Sequence, residues 1–370
     1  MKFSEEFRDK ELVQELARRL LALDPAPATL MEVCGTHTMA VARFGLKMLL
    51  PPGVRLISGP GCPVCVTAQE DLDGFLALGE LPGVILTTFG DMVRVPGSRT
   101  SLDRLRAQGA AVQIVYSPFD AVALAKKNPE KEYVFFGVGF ETTMPATALA
   151  IRTAAAAGLS NFSVYCVHKT MPAALRALLG SGTVHLDGLL LPGHVSTIVG
   201  AASYDFIPRD FHLPCAVTGF EPVDILLGIE AILLQRQSGR YEVANAYRRA
   251  VAAPANPRAS EIMAEVFEPI DAPWRGLGSI PASGVRLRSH YADFDARLRF
   301  AAHLAQVPPP PSTPCRCGEV LRGVLAPPDC PLFGQRCSPA QPVGPCMVSS
   351  EGACAAAYRY GSSMNPTILP

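Results

Sequence analysis

Short apolar runs alternate with helical stretches between residues 54 and 235. Seven of these runs are rich in β-branched and aromatic residues, which favour strands. They are VRLISG, GVILTTFG, AVQIVYS, YVFFGVGF, FSVYCVH, DGLLLPGH and PCAVTGF. Segments with helical periodicity, such as 145–158 and 221–235, lie between them. The repeated order of strand and helix predicts parallel sheets covered by helices.

The two ends of the chain have a different pattern. Residues 4–23 are predicted to form an amphipathic helix, because its leucines recur on one face. Beyond residue 240 we expect helices near 241–252 and 258–267, followed by a Pro/Gly-rich span. The run VPPPPSTP at 307–314 predicts a stiff, extended spacer, since proline restricts the backbone and removes hydrogen-bond donors.

A short internal echo favours two α/β units rather than one. VGFETT at 138–143 and TGFEPV at 218–223 each end a predicted strand with Gly-Phe-Glu and then enter a helix. A repeated motif of this kind is typical of duplicated structure. We therefore expect two similar units, each with its own parallel sheet.

Charge and hydropathy narrow the class of partner. The 370 residues contain 33 Lys and Arg against 33 Asp and Glu, without a long run of like charge. This balance disfavours nucleic acid or an acidic membrane surface as the main partner. No secretory signal and no apolar stretch of about 18 residues is evident. We therefore expect a cytoplasmic protein that does not bind to membranes.

Eleven cysteines are unusual in such a chain. Because the cytosol keeps thiols reduced, metal binding or redox chemistry is a better expectation than a disulfide framework. Six of the cysteines lie among Gly and Pro in a tail with little apolar periodicity: Cys315, Cys317, Cys330, Cys337, Cys346 and Cys354. Their irregular spacing favours a 4Fe-4S cluster over structural zinc or unligated thiols.

Cys62 and Cys65 form a Cys-x-x-Cys pair directly after Gly-Pro-Gly, at the end of a predicted strand. In an open α/β sheet, ligands bind at this edge. If a helix begins near Pro63, its first turn would lower the pKa of the thiols. The pair is then a redox dithiol or part of a metal site, with two core thiols as the remaining alternative.

A second loop of this kind is MEVCGTHTMAV, in which Cys34 lies one helical turn from His37. The two side chains could share a metal, or His37 could donate a proton beside a thiolate, but buried structural residues explain such a pair equally well. Other polar residues at predicted strand ends are either helix caps or part of the same site: Asp91, Glu141, His168, His194 and Glu221. Cys166 and Cys215 lie inside apolar runs and are predicted to be core residues.

Six motifs resemble, in order, those of the HypD family of NiFe-hydrogenase maturation factors. They are CGTHTMAV, SGPGCPVCVT, GFETT, LPGHVSTI, GFEPVDIL and CPLFG…C…PVGPCMVSSEGAC, and they span residues 31–360. The resemblance implies two similar Rossmann-like α/β domains with parallel sheets and a third, cysteine-rich iron–sulfur domain. The corresponding ranges are 1–50 (N-terminal helix and Cys34 loop, packing with the third domain), 51–135, 136–240 and 241–370.

The resemblance also implies a function. HypD proteins act as scaffold and redox partner in building the Fe(CN)2CO group, in complex with the chaperone HypC, and HypE delivers cyanide as a thiocyanate. Carried over by motif, iron would be held by Cys34, Cys62 and Cys65. The 4Fe-4S cluster would be held by Cys317, Cys330, Cys337 and Cys354, and Cys315 or Cys346 could replace one of these four.

Two hypotheses about activity follow from these residues. In the first, the Cys62 and Cys65 dithiol supplies electrons for cyanide release and, with Cys34, holds iron, while His37 donates a proton or orients cyanide. The chain is then a redox-active assembly scaffold rather than a conventional turnover enzyme. In the second, it is a 4Fe-4S-dependent dithiol oxidoreductase acting on another protein, which leaves Cys34 without a purpose.

Overall fold

The strands lie within residues 5–361, the part of the chain that this computed structural model describes. They are β1 (Ala28–Glu32), β2 (Val54–Ser58), β3 (Val84–Thr88), β4 (Val112–Ile114), β5 (Glu132–Gly137), β6 (Phe162–Cys166), β7 (Gly188–Pro192), β8 (Cys215–Thr218), β9 (Val243–Asn245), β10 (Phe267–Trp274) and β11 (Gly278–Leu287). All seven predicted strands are confirmed as β2 to β8. Their apolar, β-branched residues suit a pleated surface that is buried on both faces.

The helices of the same region are α1 (Lys10–Ala22), α2 (Gly35–Arg43), α3 (Pro63–Val66), α4 (Gln69–Ala77), α5 (Leu102–Ala107), α6 (Pro118–Lys127), α7 (Met144–Ala156), α8 (Met171–Gly180), α9 (Gly193–Val199), α10 (Phe206–Phe211), α11 (Pro222–Ser238), α12 (Pro257–Val266), α13 (Ala296–Arg299), α14 (Ala301–Leu304), α15 (Cys317–Leu321), α16 (Pro345–Val348) and α17 (Ala353–Tyr360). Short 3-10 helices supplement them, including Glu5–Arg8, Gly90–Met92 and Ala201–Tyr204. Among these described helices, none has both the length and the apolar character needed to cross a membrane.

Most of the predicted helices are confirmed, and one is wrong. The N-terminal helix corresponds to α1, and the helix predicted at 258–267 corresponds to α12. The helix predicted at 241–252 does not form. Its first part is β9, which pairs with the edge of β8, and turns follow it. Backbone pairing with a neighbouring strand therefore overrides the local helical pattern.

Two parallel sheets carry the fold, as predicted. The first sheet has the order β2-β1-β7-β8-β9, and the second has the order β4-β3-β5-β6. The ranges 51–135 and 136–240 do not correspond to the two sheets, because each range contributes strands to both. In the first sheet, β1 lies between β2 and β7, with Leu30 opposite Gly188, and so joins a strand of the first range to a strand of the second.

The Gly-Phe-Glu echo coincides with a structural equivalence. β5 lies between β3 and β6, and β8 lies between β7 and β9, so each strand is the second from one edge of its sheet. A helix follows each echo, α7 after the first and α11 after the second. The same motif therefore occupies the same place in both sheets.

Alternating residues of the strands face two different layers of core. In β5, Tyr133 and Phe135 pack in an outer cluster with α6 and α7, while Val134 and Phe136 face a central cluster. In β1, Leu30 likewise packs outward with α1 and α11. The central cluster contains residues from both sheets and also Cys62, Cys65 and several tail cysteines. The thiols therefore belong to the core that joins the two sheets.

The Pro/Gly-rich span after residue 266 contains an antiparallel hairpin that the sequence did not predict. β10 and β11 pair from Phe267 opposite Leu287 to Trp274 opposite Gly278. The hairpin is attached to both sheets, through bridges from Thr67 to Trp274 and from Lys169 to Gly284. Residues 307–314 contain no helix or strand, in keeping with the predicted spacer.

Candidate functional site

Both cysteine loops lie at the carboxyl edge of the first sheet. β1 and β2 are adjacent and parallel, with Glu32 opposite Ser58, so the segments that follow them begin side by side. Cys34 follows β1, and Cys62 follows β2. Both loops therefore lie at one edge of the sheet, because parallel neighbours end on the same side, and for the Cys62 loop this position at a strand end is the one that the sequence predicts.

The two loops touch through their backbones at Gly61. The N–H of Gly35 donates to the carbonyl of Gly61 over 2.9 Å. A Cβ atom on Gly61 would lie 2.1 Å from the nitrogen of Cys34 and 2.3 Å from the carbonyl carbon of Val33. Only glycine leaves room for this approach, so the Gly-Pro-Gly sequence is explained by contact with the neighbouring loop.

The Cys-x-x-Cys pair opens the short helix α3, which begins at Pro63 as predicted. Cys62 has an extended backbone, and its Sγ accepts a hydrogen bond from the N–H of Cys65 over 3.2 Å. Burial nevertheless raises the pKa of the Cys65 thiol well above its usual value. The predicted lowering of the pKa is therefore wrong for Cys65, because a helix of four residues offsets only a small part of the desolvation.

Cys34 is also a buried thiol. Burial, followed by the charge of Glu351, raises its pKa to about 12, although the backbone N–H groups of Thr36 and His37 oppose this effect. A thiol with this pKa is protonated at neutral pH. Binding of a metal ion at this thiol would therefore have to displace that proton.

His37 lies on α2, the helix that begins directly after Cys34. Its imidazole ring is fully buried and neutral. Its Nε2 lies 2.9 Å from the carbonyl oxygen of Gly219 and 2.8 Å from Oγ1 of Thr218. Burial lowers the pKa of His37 to about 4. Because the ring N–H donates to the Gly219 carbonyl, these contacts anchor α2 to the end of β8. Proton donation by His37 stays a prediction.

The tail covers both cysteine loops. The Cys62 thiol donates to Oγ of Ser349 over 3.3 Å, and the Thr36 hydroxyl donates to Oε1 of Glu351 over 2.6 Å. Helix α17 packs against α2 below this contact. Sequence reasoning missed Ser349 and Glu351 as site residues, although their position between Cys346 and Cys354 in the cysteine-rich tail was a usable indication.

Thiols form a continuous chain from the sheet edge into the tail. Cys65, Cys317 and Cys354 lie close enough to Cys346 to act on the pKa of its thiol, which is raised well above its usual value. Cys317 in turn lies next to Cys315, with their sulfur atoms 2.9 Å apart. Cys346 therefore lies between the dithiol at residues 62 and 65 and the other thiols of the tail. Cys346, which the sequence left as a spare cysteine, is the connecting residue.

The remaining tail thiols lie on the other side of Cys315. The Sγ of Cys337 accepts a hydrogen bond from the N–H of Val343 over 3.4 Å, and its pKa is raised by burial, with Cys315 and Cys354 adding to the shift. Cys330 is half-buried and begins the turn that leads to Cys337. Within residues 5–361, no three His, Cys, Asp or Glu side chains are arranged as a ready site for a single metal ion.

The other predicted polar residues divide into caps and site residues. Glu221 is the N-cap of α11, where it forms a capping box with Asp224. Glu141 accepts from the N–H of Met171 at the start of α8 over 2.9 Å, and its second oxygen is buried without a partner. His194 stacks on Phe220 with ring centroids 3.9 Å apart, close to His37.

A cavity of about 680 Å³ lies next to this site. It lies between Met39 on α2 and Asp91 after β3, so it is shared by the carboxyl edges of the two sheets. Met347 and Ser349 form the wall on the side of Cys62. A ligand of small-molecule size therefore has a place next to Ser349, the hydrogen-bond partner of Cys62.

Comparison with known proteins identifies the family. A sequence model described as "HypD: Hydrogenase formation hypA family" matches residues 9–361. The chain is 48% identical to "Hydrogenase maturation factor HypD" of Azotobacter vinelandii over 370 residues, which cover 98% of this chain and 97% of that one. The chain belongs to the HypD family of hydrogenase maturation factors.

Two further relatives carry the same name. The Escherichia coli K12 protein is 46% identical over 368 residues (97% of this chain and 98% of that one), and the Rhodobacter capsulatus protein is 46% identical over 373 residues (98% and 99%). The resemblance drawn from the motifs is therefore confirmed. The region that matches the HypD family contains both cysteine loops, α2 and the tail that covers them.

Replacing Gly61 by alanine is expected to lower the free energy of unfolding by about 1–3 kcal/mol, because the added methyl group forces the two loops apart. Chemical denaturation measures this change. Gly180→Ala is the matched control, since a Cβ atom there would meet no atom within 4 Å. Equal stability of the two variants would contradict the proposed contact between the loops.

Glu141 is expected to make stability depend on pH. Burial raises its pKa from 4.5 to about 7, so the folded state holds a proton that the unfolded chain releases. Stability should therefore fall as pH rises from about 4.5 to 7, by about 3 kcal/mol relative to Glu141→Gln. Urea unfolding of both proteins across this range is the measurement, and parallel curves would refute the prediction.

Proposed function

We propose that this protein is the redox-active scaffold on which the Fe(CN)2CO group of NiFe hydrogenases is assembled in the cytoplasm. HypC binds to it as the chaperone, and HypE delivers cyanide as a thiocyanate. The observation that carries the proposal is the hydrogen bond between the two cysteine loops, which brings Cys34 next to the Cys62 and Cys65 dithiol. A dithiol alone would serve a reductase, whereas a third cysteine on the adjoining loop suits an iron scaffold.

Iron is the cargo in this proposal, held by Cys34, Cys62 and Cys65. Thiolates are soft ligands, and they suit a low-spin iron that carries cyanide and carbon monoxide better than carboxylates do. Burial raises the pKa of Cys34 and Cys65, so these thiols are protonated before iron binds. Binding therefore releases protons, which makes loading favourable at higher pH.

The dithiol also supplies electrons. Cleavage of the S–C bond of a thiocyanate consumes two electrons and one proton and releases cyanide and a thiol. Oxidation of Cys62 and Cys65 to a disulfide provides two electrons and two protons, so the exchange balances with one proton left over. Cyanide released in this step can then bind to iron held nearby by Cys34, and Cys62 and Cys65 become iron ligands once they have been reduced again.

The tail thiols fit a 4Fe-4S cluster by their chemistry. Four soft sulfur ligands are available, and Gly344 leaves the space that they need, because a Cβ atom there would lie 2.3 Å from Sγ of Cys315. We propose Cys330, Cys337 and Cys354 as ligands, as the resemblance implies. For the fourth we favour Cys315 over Cys317, since Cys315 and Cys354 lie close enough to Cys337 to raise the pKa of its thiol.

In this assignment Cys317 and Cys346 are free to act as a second dithiol. Cys346 interacts with Cys65 on one side and with Cys317 on the other. Disulfide exchange from Cys62 and Cys65 to Cys346 and Cys317 would return the first pair to the reduced state. When bound, the cluster supplies the electrons for that return.

A dithiol oxidoreductase that acts on another protein is the alternative function, and the same chain of thiols favours it. Infrared spectroscopy of protein purified anaerobically with HypC separates the two functions. Cyanide and carbonyl bands on the protein support the scaffold. Their absence from protein that carries its full iron and sulfide would favour the oxidoreductase.

Cys62→Ala or Cys65→Ala is expected to abolish loading of iron dicyanide and leave the visible absorbance of the cluster intact. The infrared cyanide bands and the absorbance of the same anaerobic preparation measure both effects. Cys215→Ala is the matched control, because this thiol is buried inside β8 and interacts with the carbonyl of Glu242. Normal cyanide bands in either dithiol variant would show the scaffold proposal to be wrong.

Cys315→Ala is expected to lose most of the iron and sulfide of the cluster, whereas Cys317→Ala keeps about four of each per chain. The two substitutions are matched, since the residues are neighbours in sequence and in space. Iron and sulfide analysis of anaerobically purified protein measures the difference. The reverse result would restore Cys317 as the fourth ligand.

A further inference from the structure

A second cavity, of about 780 Å³, lies at the carboxyl end of β6, away from the cysteine loops. The hairpin β10–β11 forms one wall, and Pro308–Pro310 of the extended spacer form another. Its volume lies within the range of about 300–1,000 Å³ that is typical of small-molecule sites. The cavity also lies at the edge of a parallel sheet where ligands bind in this class of fold.

Buried charges form the floor of this cavity. Asp71 on α4 accepts from Nζ of Lys169 over 3.3 Å with one oxygen, and from Arg297 on α13 over 2.5 Å with the other. Both oxygens of Asp71 are therefore engaged. Lys169, whose side chain is 3% exposed, has three N–H groups, and Asp71 is its one ion-pair partner among the described residues.

A second buried carboxylate, that of Asp295, also has a hydrogen-bond partner within the protein. Asp295 lies next to Arg297 and accepts from the backbone N–H of that residue over 2.8 Å. The guanidinium of Arg297 packs over the ring of Tyr165 at 4.3 Å from its centroid, which fixes its position at the cavity wall. The buried acids thus have partners within the protein, while the bases of the cavity have donors to spare.

His168 adds a polar atom without a partner. It is 1% exposed, it lines the cavity, and its Nε2 has no hydrogen-bond partner. The other ring nitrogen, Nδ1, lies 3.5 Å from the thiol of Cys166. The thiol has two acceptors within reach, Nδ1 and the carbonyl oxygen of Val285 at 3.4 Å, and when it donates to Nδ1 the ring proton lies on Nε2. The imidazole then offers a hydrogen-bond donor from a fixed position.

We propose that this cavity binds a small organic anion, whose carboxylate or phosphate group accepts hydrogen bonds from His168, Lys169 and Arg297. An unpartnered buried donor is costly, so a ligand that supplies the acceptor gains the free energy that the empty site lacks. Ammonium and guanidinium groups strengthen these bonds because they carry charge. The ligand selects the His168 tautomer with hydrogen on Nε2.

The remaining walls define the rest of the ligand. Ile270, Ala272 and Val285 of the hairpin present apolar surface, and the ring of Tyr165 lies beside them. An apolar or aromatic group attached to the oxyanion therefore fits better than a free inorganic ion. Glu70 and Asp271 also line the cavity, and their charges disfavour ligands that carry several negative groups along their length.

Calorimetric titration of the full chain with benzoate, phenyl phosphate and the neutral analogue benzamide tests the proposal. We expect saturable binding of at least one of the two anions and at least tenfold weaker binding of benzamide. A preference for benzoate would identify a carboxylate ligand, and a preference for phenyl phosphate would identify a phosphate ester. Absence of binding of both anions at millimolar concentration would overturn the proposal.

Two substitutions locate the site. His168→Phe keeps the ring volume and removes the donor, and Lys169→Met keeps the stem and removes the charge. Each should weaken anion binding at least tenfold, while His290→Phe, an exposed histidine outside the cavity, should leave it unchanged. Thermal unfolding confirms that each variant is folded. Unchanged affinity in a folded His168→Phe or Lys169→Met variant would place the anion elsewhere and refute the site.

Discussion

The close approach of two backbones at Gly61 is the constraint on which the candidate site depends. Adjacent parallel strands bring the ends of β1 and β2 to one place, but only the missing side chain lets the following loops meet. The hydrogen bond from Gly35 to Gly61 then fixes Cys34 relative to Cys62. The geometry of the thiols is therefore set by rigid backbone rather than by flexible side chains, which is how precise sites are built.

Burial is the second influence on this site and its surroundings, and it acts on the pKa of several groups. It raises the pKa of Cys34 and Cys65, lowers that of His37, and raises that of Glu141. All four groups are therefore favoured in their neutral forms. Short helices and single backbone N–H groups offset only part of this effect. A site of this type therefore keeps its thiols protonated at neutral pH.

The sequence predicted the strands and loops that depend on a local pattern of residues. β2 to β8 were predictable because β-branched and aromatic residues are concentrated in each run, and the Gly-Pro-Gly motif indicated a special loop. The hairpin β10–β11 was missed because prolines at 269, 273 and 281 are typical of irregular structure. Strand β1 was missed because its five residues include few β-branched side chains.

What could not be predicted depends on contacts between distant parts of the chain. The pairing of β1 with β7, which groups the strands into sheets, has no local pattern in the sequence. The same holds for Ser349 and Glu351, whose partners at the sheet edge lie hundreds of residues earlier. Cys346 is a further case, because its neighbours, not its spacing, distinguish it from the other five tail cysteines.

The tail lies far along the sequence from the loops that it covers, and this has a consequence for biosynthesis. Cys62 and Ser349 are 287 residues apart, and Thr36 and Glu351 are 315 residues apart. A ribosome adds roughly 5–20 residues per second, so the three loop thiols leave it many seconds before their cover exists. During that interval the nascent chain exposes its most oxidisable groups. A reducing compartment or an early-binding chaperone would protect them until the last residues of the cover emerge.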